Sequence, residues 1–380
     1  MKTHHGIWAI CTGVLLCLTI TVDALAADDP IDMQRVRELR GRVQKGEKLS
    51  AKEQAYYDRG VEARNARQKE RGPPLSKQPS AVDDELNRAT REVKGGASEV
   101  FTVSEKACPL EVIEVPTADK NKALAVVRKP PGQGPFPAIV FLHGGLGQHD
   151  VQELQTESRN QPTRGRFLAA GYVVVNATFR SRRDDPQTRD ALVDCLAIIA
   201  HVKKMPEVDP KSVVLFGGSG GGSLALELAG EAKLCAVVAG EPASVLFTGM
   251  MTKDNRGLMT IMENPKSFYT PELQNFTRAK IRKIACPVLI VHGDQHPLKK
   301  INHEIIIPEL KVAEKNVEVI IYPEQPHGFY WGRGTPEAAR KCFNDSHAFI
   351  KKNLPTQPKP LDKSLIKQVS VGPGVEKGNK

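Results

Sequence analysis

The sequence predicts an α/β protein, a doubly wound and mostly parallel sheet with a short helical appendage on its N-terminal side. Residues 138–142, 213–216 and 288–291 are short, continuously apolar runs, the pattern of strands covered on both faces. From residue 99 onward such runs alternate with segments of helical periodicity. Before residue 99, charges alternate with sparse apolar positions, too few to build a core without help.

Taken in order, Lys2, the apolar run 7–22 and Ala24-Leu25-Ala26 follow the arrangement of a secretory leader, so residues 1–26 read as a signal peptide cleaved after Ala26. The run is short for a membrane span, and the expectation is a secreted or periplasmic protein with no span after cleavage. Residues 27–98 read as a charged helical segment and linker. Val36, Leu39, Val43, Leu49, Tyr56 and Val61 suit two short helices broken near Gly46, and Ser50 with Glu53 forms a capping box for the second. Gly72-Pro73-Pro74 through Gly95-Gly96 reads as linker.

The main domain spans 99–352. Its strands are expected at 99–103, 110–115, 123–128, 138–142, 172–177, 213–216, 235–239, 288–292 and 317–322, and its helices at 161–170, 187–203, 221–230, 302–315 and 336–352. The early strands have no helices between them and predict an antiparallel edge. Residues 353–380 form a basic tail, rich in Pro and Lys, that is expected to be disordered.

Charged residues make up 26% of the 380 positions and aromatics 5%, which excludes a collagen, a coiled coil along the whole length and a polytopic membrane protein. The net charge of +10 lies mostly in the appendages: 27–98 carries 16 Lys+Arg against 13 Asp+Glu, and 351–380 carries 7 against 2. With no basic stripe interleaved with aromatics, no nucleic-acid partner is expected. Cys11 and Cys17 fall in the leader. Cys108, Cys195, Cys235, Cys286 and Cys342 are widely spaced, with no CxxC pair, and an oxidising compartment would permit one or two disulfides among them. No His/Asp cluster has ligand spacing, so no metal is expected.

Three motifs carry chemistry. Gly217-Gly218-Ser219-Gly220-Gly221 follows the strand at 213–216 and opens a helix, the G-x-S-x-G turn that lifts a serine hydroxyl above a sheet edge. His143-Gly144-Gly145 ends an earlier strand. Acyl transfer needs two backbone N–H groups aimed at the oxyanion, assigned here to Gly145 and Gly220, with Leu146 the near alternative to Gly145. Pro326-His327-Gly328-Phe329 follows the last strand, on a loop from which a general base reaches the serine.

On HGG, GGSGG, His292-Gly293-Asp294 and the terminal His-Gly-Phe, the chain resembles the α/β-hydrolase superfamily, and within it dienelactone-hydrolase and prolyl-oligopeptidase-type catalytic domains. The resemblance implies a Ser–acid–His triad in that chain order, with Ser219 as nucleophile, His327 as base and an acyl-enzyme formed without a cofactor. The acid departs from the pattern. The family usually places it three residues after the glycine of the His-Gly pair, which here is His296. Asp294, two positions earlier, and Glu241, after the strand at 235–239, remain two candidates. Residues 241–281 carry Met250, Met251, Met259 and Met262 and read as a lid insert over the serine or as helices packing a small core of their own. Arg180, Arg182 and Arg183 are candidates for the mouth of the site.

The expected function is an exported serine hydrolase cleaving a carboxylic ester, with a small-molecule ester or short peptide as substrate. A prolyl-oligopeptidase-like peptidase is the alternative enzyme, although the charged segment before the catalytic domain is too short for propeller blades. A catalytically silent binding protein is the reading from another class, suggested by His296 at the usual acid position.

Overall fold

The computed structural model describes residues 32–44, 47–71, 98–145, 147–181, 189–251 and 258–371. Residues 1–26, expected as a signal peptide, the expected linker from Gly72 to Gly96, and Gly46, Leu146, Arg182 and Arg183 lie outside the described residues. The chain divides into two units, 1–78 and 79–380. In the first, α1 (Met33–Gln44) and α2 (Ala51–Arg71) pack around Val36, Leu39 and Tyr56. The Ser50–Glu53 capping box forms as expected, with the Ser50 N–H donating to Glu53 Oε2 at 2.9 Å and the Glu53 N–H to Ser50 Oγ at 3.3 Å. A core of its own was not expected here. It exists because three large side chains from the two helices meet.

The second unit is built on an eight-stranded sheet. Its strands are β2 (Glu111–Pro116), β3 (Lys122–Arg128), β4 (Phe136–Leu142), β5 (Val173–Ala177), β6 (Val208–Gly218), β7 (Ala236–Gly240), β8 (Val288–Gly293) and β9 (Val317–Tyr322), in the order β2-β3-β5-β4-β6-β7-β8-β9. β2–β3 and β3–β5 are antiparallel, as the helix-free early strands predicted, and every other pairing is parallel. Successive side chains of the central strands enter opposite cores. Val140, Leu142 and Leu215 point to one face, and Phe141, Val214 and Phe216 to the other. Burying both faces explains why the runs 138–142 and 213–216 are apolar at every position. Each fully buried side chain of this size contributes about 1.5–3 kcal/mol.

Sheet order places the site. β4 lies between β5 and β6, so the loops leaving β4 and β5 diverge from those leaving β6 and β7, opening a crevice at the carboxyl ends of the strands. Leu142 of β4 is in register with Gly217 of β6, and Gly218 of β6 with Gly240 of β7. The HGG turn, the serine turn and Glu241 therefore leave three adjacent strands at one level.

The tail corrects the expectation of disorder over its described part. Ile366–Val371 forms β10, which pairs antiparallel with β1 (Ser98–Val103) in a separate two-stranded sheet. Phe101 and Val103 are buried against the core, so the tail is held by a strand that itself docks on the domain. The five cysteines among the described residues are all free. Cys108, Cys195, Cys286 and Cys342 are buried and Cys235 is half-buried, its thiol against the Asn353 carbonyl. Among the described residues, no helix is long and apolar enough to cross a membrane.

Candidate active site

Ser219 sits between β6 and the helix Gly220–Glu231 with φ 53° and ψ −115°. That conformation costs a non-glycine residue about 1–3 kcal/mol and is retained only where the surroundings dictate it. Two features do so. The Ser219 N–H donates to the Gly240 carbonyl at 2.8 Å, and the Ser219 carbonyl accepts from Ala243 N–H at 2.9 Å. The turn is also too tight for side chains, since a Cβ on Gly217 would lie 2.0 Å from the Gly221 carbonyl and one on Gly221 2.3 Å from that of His143. The HGG turn also comes close, with the Gly145 carbonyl 2.7 Å from where a Gly220 Cβ would stand. The backbones of Gly145 and Gly220, the two expected oxyanion donors, are thus neighbours.

His143 anchors its turn as a neutral ring. It is stacked between His149, at 3.7 Å, and Phe179, at 4.4 Å. Thr178 Oγ1 accepts the His149 N–H at 2.9 Å and lies 3.3 Å from His143 Nε2, while His143 Nδ1 lies 3.0 Å from the Gly144 carbonyl. An Nδ1–H tautomer satisfies both contacts: it donates to the carbonyl and accepts the hydroxyl proton. Burial pushes the ring down to about 3.

His327 and Glu241 come together. His327 Nδ1 is 3.3 Å from Glu241 Oε2, in ion-pair range. Glu241 is fully buried and has φ 43°, a second strained residue in the site. Its Oε1 accepts the Gly293 N–H at 3.1 Å and its Oε2 the Gly328 N–H at 2.6 Å, so both oxygens are fixed by backbone donors. Asp294 is not brought to His327. Its Oδ1 instead accepts from the Glu324 N–H at 2.7 Å and Gln295 Nε2 at 2.8 Å, which ties the loop after β8 to the one after β9.

His296, at the position where the resemblance expects a carboxylate, packs its ring against His327 with centroids 4.4 Å apart. Its Nδ1 accepts the Leu298 N–H at 3.2 Å, and burial, then the neighbouring His327, pushes it down to about 3.

Ser219, His327, His143, Gly144 and Gly145 line a cavity of about 350 Å³, shared with His149, Glu157, Gln161, Arg164, Trp331 and Arg333. The insert 241–281 contributes no lining residue among those described. Val245, Leu246, Met250, Leu258, Ile261 and Met262 instead pack with Leu298, Ile301 and Ile305 into a separate small core. These residues pack with one another, which is the second of the two readings of the insert, helices with a small core of their own. Arg180 is likewise not at the mouth. Its guanidinium bonds Asp194 through Nε and Nη2 and Asp119 through Nη1.

The sequence reading missed the wall of this cavity. Glu157 lies on the helix Val151–Asn160, which was not foreseen, although Asp150 and Glu153 form a capping box that marks its start. Among the described residues, no group of His, Cys, Asp or Glu is arranged to hold a metal ion.

The buried histidines give the fold a pH dependence with a definite sign. His143, His292 and His296 are each pushed down to about 3, largely by burial, whereas an unfolded histidine titrates near 6.5. Between those values the unfolded chain binds protons that the folded one does not, so stability is complete above pH 6.5 and falls with acidification. The unfolding free energy in urea is expected to drop between pH 7 and 5, each histidine contributing a slope approaching about 1.4 kcal/mol per pH unit below its unfolded value. A free energy that is flat or rises over that interval would show these rings to be charged or exposed.

The sequence signature of the prolyl oligopeptidase family matches residues 175–357. An acetyl esterase, Axe7A of Xylanibacter ruminicola, is 33% identical over 222 residues, 53% of this chain and 49% of its own length. The chain therefore spans about half of that relative. In three dimensions, the acylaminoacyl peptidase of Pyrococcus horikoshii superposes with a TM-score of 0.52 at 16% identity, covering 68% of this chain and 44% of that one. The esterase rPPE superposes with a TM-score of 0.50 at 17% identity, covering 87% of this chain and all (100%) of the other. In sheet order and serine turn this chain has the α/β-hydrolase fold, and its residues 175–357 match the sequence signature of the prolyl oligopeptidase family.

Proposed function

We propose that the chain is a serine hydrolase cleaving a small carboxylic ester through an acyl-enzyme, with Ser219 as nucleophile, His327 as base and Glu241 as the acid of the triad. The observation that carries this is a strained serine sharing one cavity with a histidine whose Nδ1 faces a fully buried carboxylate. In the reaction, His327 takes the Ser219 proton as Oγ attacks the ester carbonyl. Glu241 holds the ring in its Nδ1–H tautomer and stabilises the imidazolium that forms. The N–H groups of Gly145 and Gly220 receive the developing oxyanion. His327 then returns the proton to the departing alcohol, and water repeats the cycle on the acyl group.

The match to an acetyl esterase favours a short acyl group. A short peptide is the second reading, favoured by the family signature. We also read residues 1–26 as an export leader, on the order of charge, apolar run and small residues in the sequence.

The test is hydrolysis of p-nitrophenyl acetate beside labelling by a fluorophosphonate, with the modified peptide identified by mass spectrometry. Turnover together with label on Ser219 supports the ester reading, and label without ester turnover favours peptide specificity. Neither turnover nor label would make the chain a binding protein on a hydrolase fold.

A further inference from the structure

A guanidinium buried with one nitrogen unpaired is costly, and a native cavity that keeps such a group has a use for it. Arg164 is this case. It lies on the helix Pro162–Ala169, and its neighbour Thr163 donates Oγ1 to the Tyr330 carbonyl at 2.5 Å, which ties the helix to the loop bearing His327. The Arg164 side chain is 3% exposed. Nε donates to Asn176 Oδ1 at 2.6 Å and Nη2 to Glu157 Oε2 at 2.8 Å, while the guanidinium lies 4.7 Å from the centre of the Trp331 ring. Nη1 is buried without a partner among the described residues, in a residue that lines the same cavity as Ser219. Gln161 Oε1, also buried and unpaired, belongs to the same wall.

Two further points fix what this wall faces. In acyl transfer the base passes its proton to the leaving group, so the alcohol half of an ester lies against the base's own loop. Trp331 and Arg333 belong to that loop, and Arg164 stacks on Trp331, which puts Arg164 on the alcohol side. The charge there is also unbalanced. Glu157 pairs with Arg164 and lies 3.5 Å from His149 Nδ1, whereas exposed Arg333 has no carboxylate in ion-pair range among the described residues.

We propose that Arg164 is a specificity determinant of this site, its Nη1 donating to an acceptor oxygen on the alcohol half of the ester, with a carboxylate there preferred over a neutral carbonyl. The inference rests on the serine-hydrolase reading and names the alcohol that reading left open. A site built to bond a polar group rejects the analogue lacking it, because the buried donor is then left unpaired.

The experiment compares kcat/KM for the acetyl esters of 4-hydroxybenzoate, 4-hydroxybenzamide and 4-methylphenol in the full chain and its variants. Ratios between esters are compared across variants, so the intrinsic reactivity of each leaving group cancels. Arg164→Lys, which keeps the charge but loses the fork, is expected to lower the carboxylate-to-methyl ratio about tenfold. Arg333→Gln is expected to lower the carboxylate-to-carboxamide ratio by about threefold to fivefold, as for a solvent-exposed charge. Should Arg164→Lys fail to fold, Gln161→Leu and Arg333→Gln decide the matter by the same ratios. Ratios that stay within about twofold of wild type in folded variants would overturn the proposal. Ser219-dependent cleavage of all three esters with unmoved ratios sinks this inference alone. Absence of cleavage and of fluorophosphonate labelling sinks the hydrolase reading and this inference with it.

Discussion

Ser219→Ala is expected to lower ester hydrolysis by roughly 10⁴–10⁶-fold while leaving the fold standing, because removing one member of a triad disables the unit. The alanine has no oxygen to attack the carbonyl, so only binding and the oxyanion donors are left. The stability side of the prediction is equally specific. The Ser219 side chain makes no capping bond to its helix, and the backbone bonds that hold the turn, from Ser219 N–H to Gly240 and from Ala243 N–H to Ser219, survive the substitution. The strain at φ 53° is nearly the same for either residue. Initial rates on p-nitrophenyl acetate, measured beside a thermal melt, check both halves. A variant retaining a tenth or more of the activity would remove Ser219 from the chemistry.

Glu241→Gln is expected to cost about 10³–10⁴ in kcat, the scale of losing the acid that fixes the tautomer of a catalytic histidine. Glutamine keeps one acceptor oxygen but sets an NH₂ against a donor. The carboxylate now accepts from both Gly293 and Gly328, and Oε2 also faces His327 Nδ1, so either amide orientation opposes an N–H with an N–H. The fully buried clash adds about 1–3 kcal/mol of destabilisation, visible in urea unfolding. Asp294→Asn separates the two candidate acids. Its carboxylate braces the Glu324 N–H and touches nothing of His327, so the amide is expected to leave kcat within about threefold. Equal losses in both variants, or a larger one in Asp294→Asn, would reverse the assignment.

Much of this molecule is legible because its signals are local. The continuous apolar runs 138–142, 213–216 and 288–291 mark β4, β6 and β8, since a strand segment covered on both faces favours apolar side chains at successive positions. The serine turn was legible for a similar reason: glycines are required wherever backbone carbonyls stand 2.0–2.3 Å from an absent Cβ. The acid was not legible. Glu241 and Asp294 follow neighbouring strands and differ only in where the chain turns next, which depends on the Gly293 and Gly328 N–H groups converging from other loops. The β1–β10 pairing joins residues at opposite ends of the domain, and no local pattern encodes its partner. The helix Val151–Asn160 is a different kind of omission, for its Asp150–Glu153 capping box stood in the sequence. The insert 241–281 carried the composition of a lid and the geometry of a small core, and composition does not say which way an apolar face turns.

The most direct test of the account is to catch the acyl-enzyme. Mixing the protein with excess p-nitrophenyl acetate, quenching in acid within milliseconds to seconds and digesting for mass spectrometry should reveal one added acetyl group. The account predicts that the group lies on the peptide containing Ser219, that it accumulates when deacylation is slowed at low pH, and that it is absent from Ser219→Ala. Ester turnover with the acetyl group on another residue, or with Ser219→Ala turning over as fast as wild type, would contradict it.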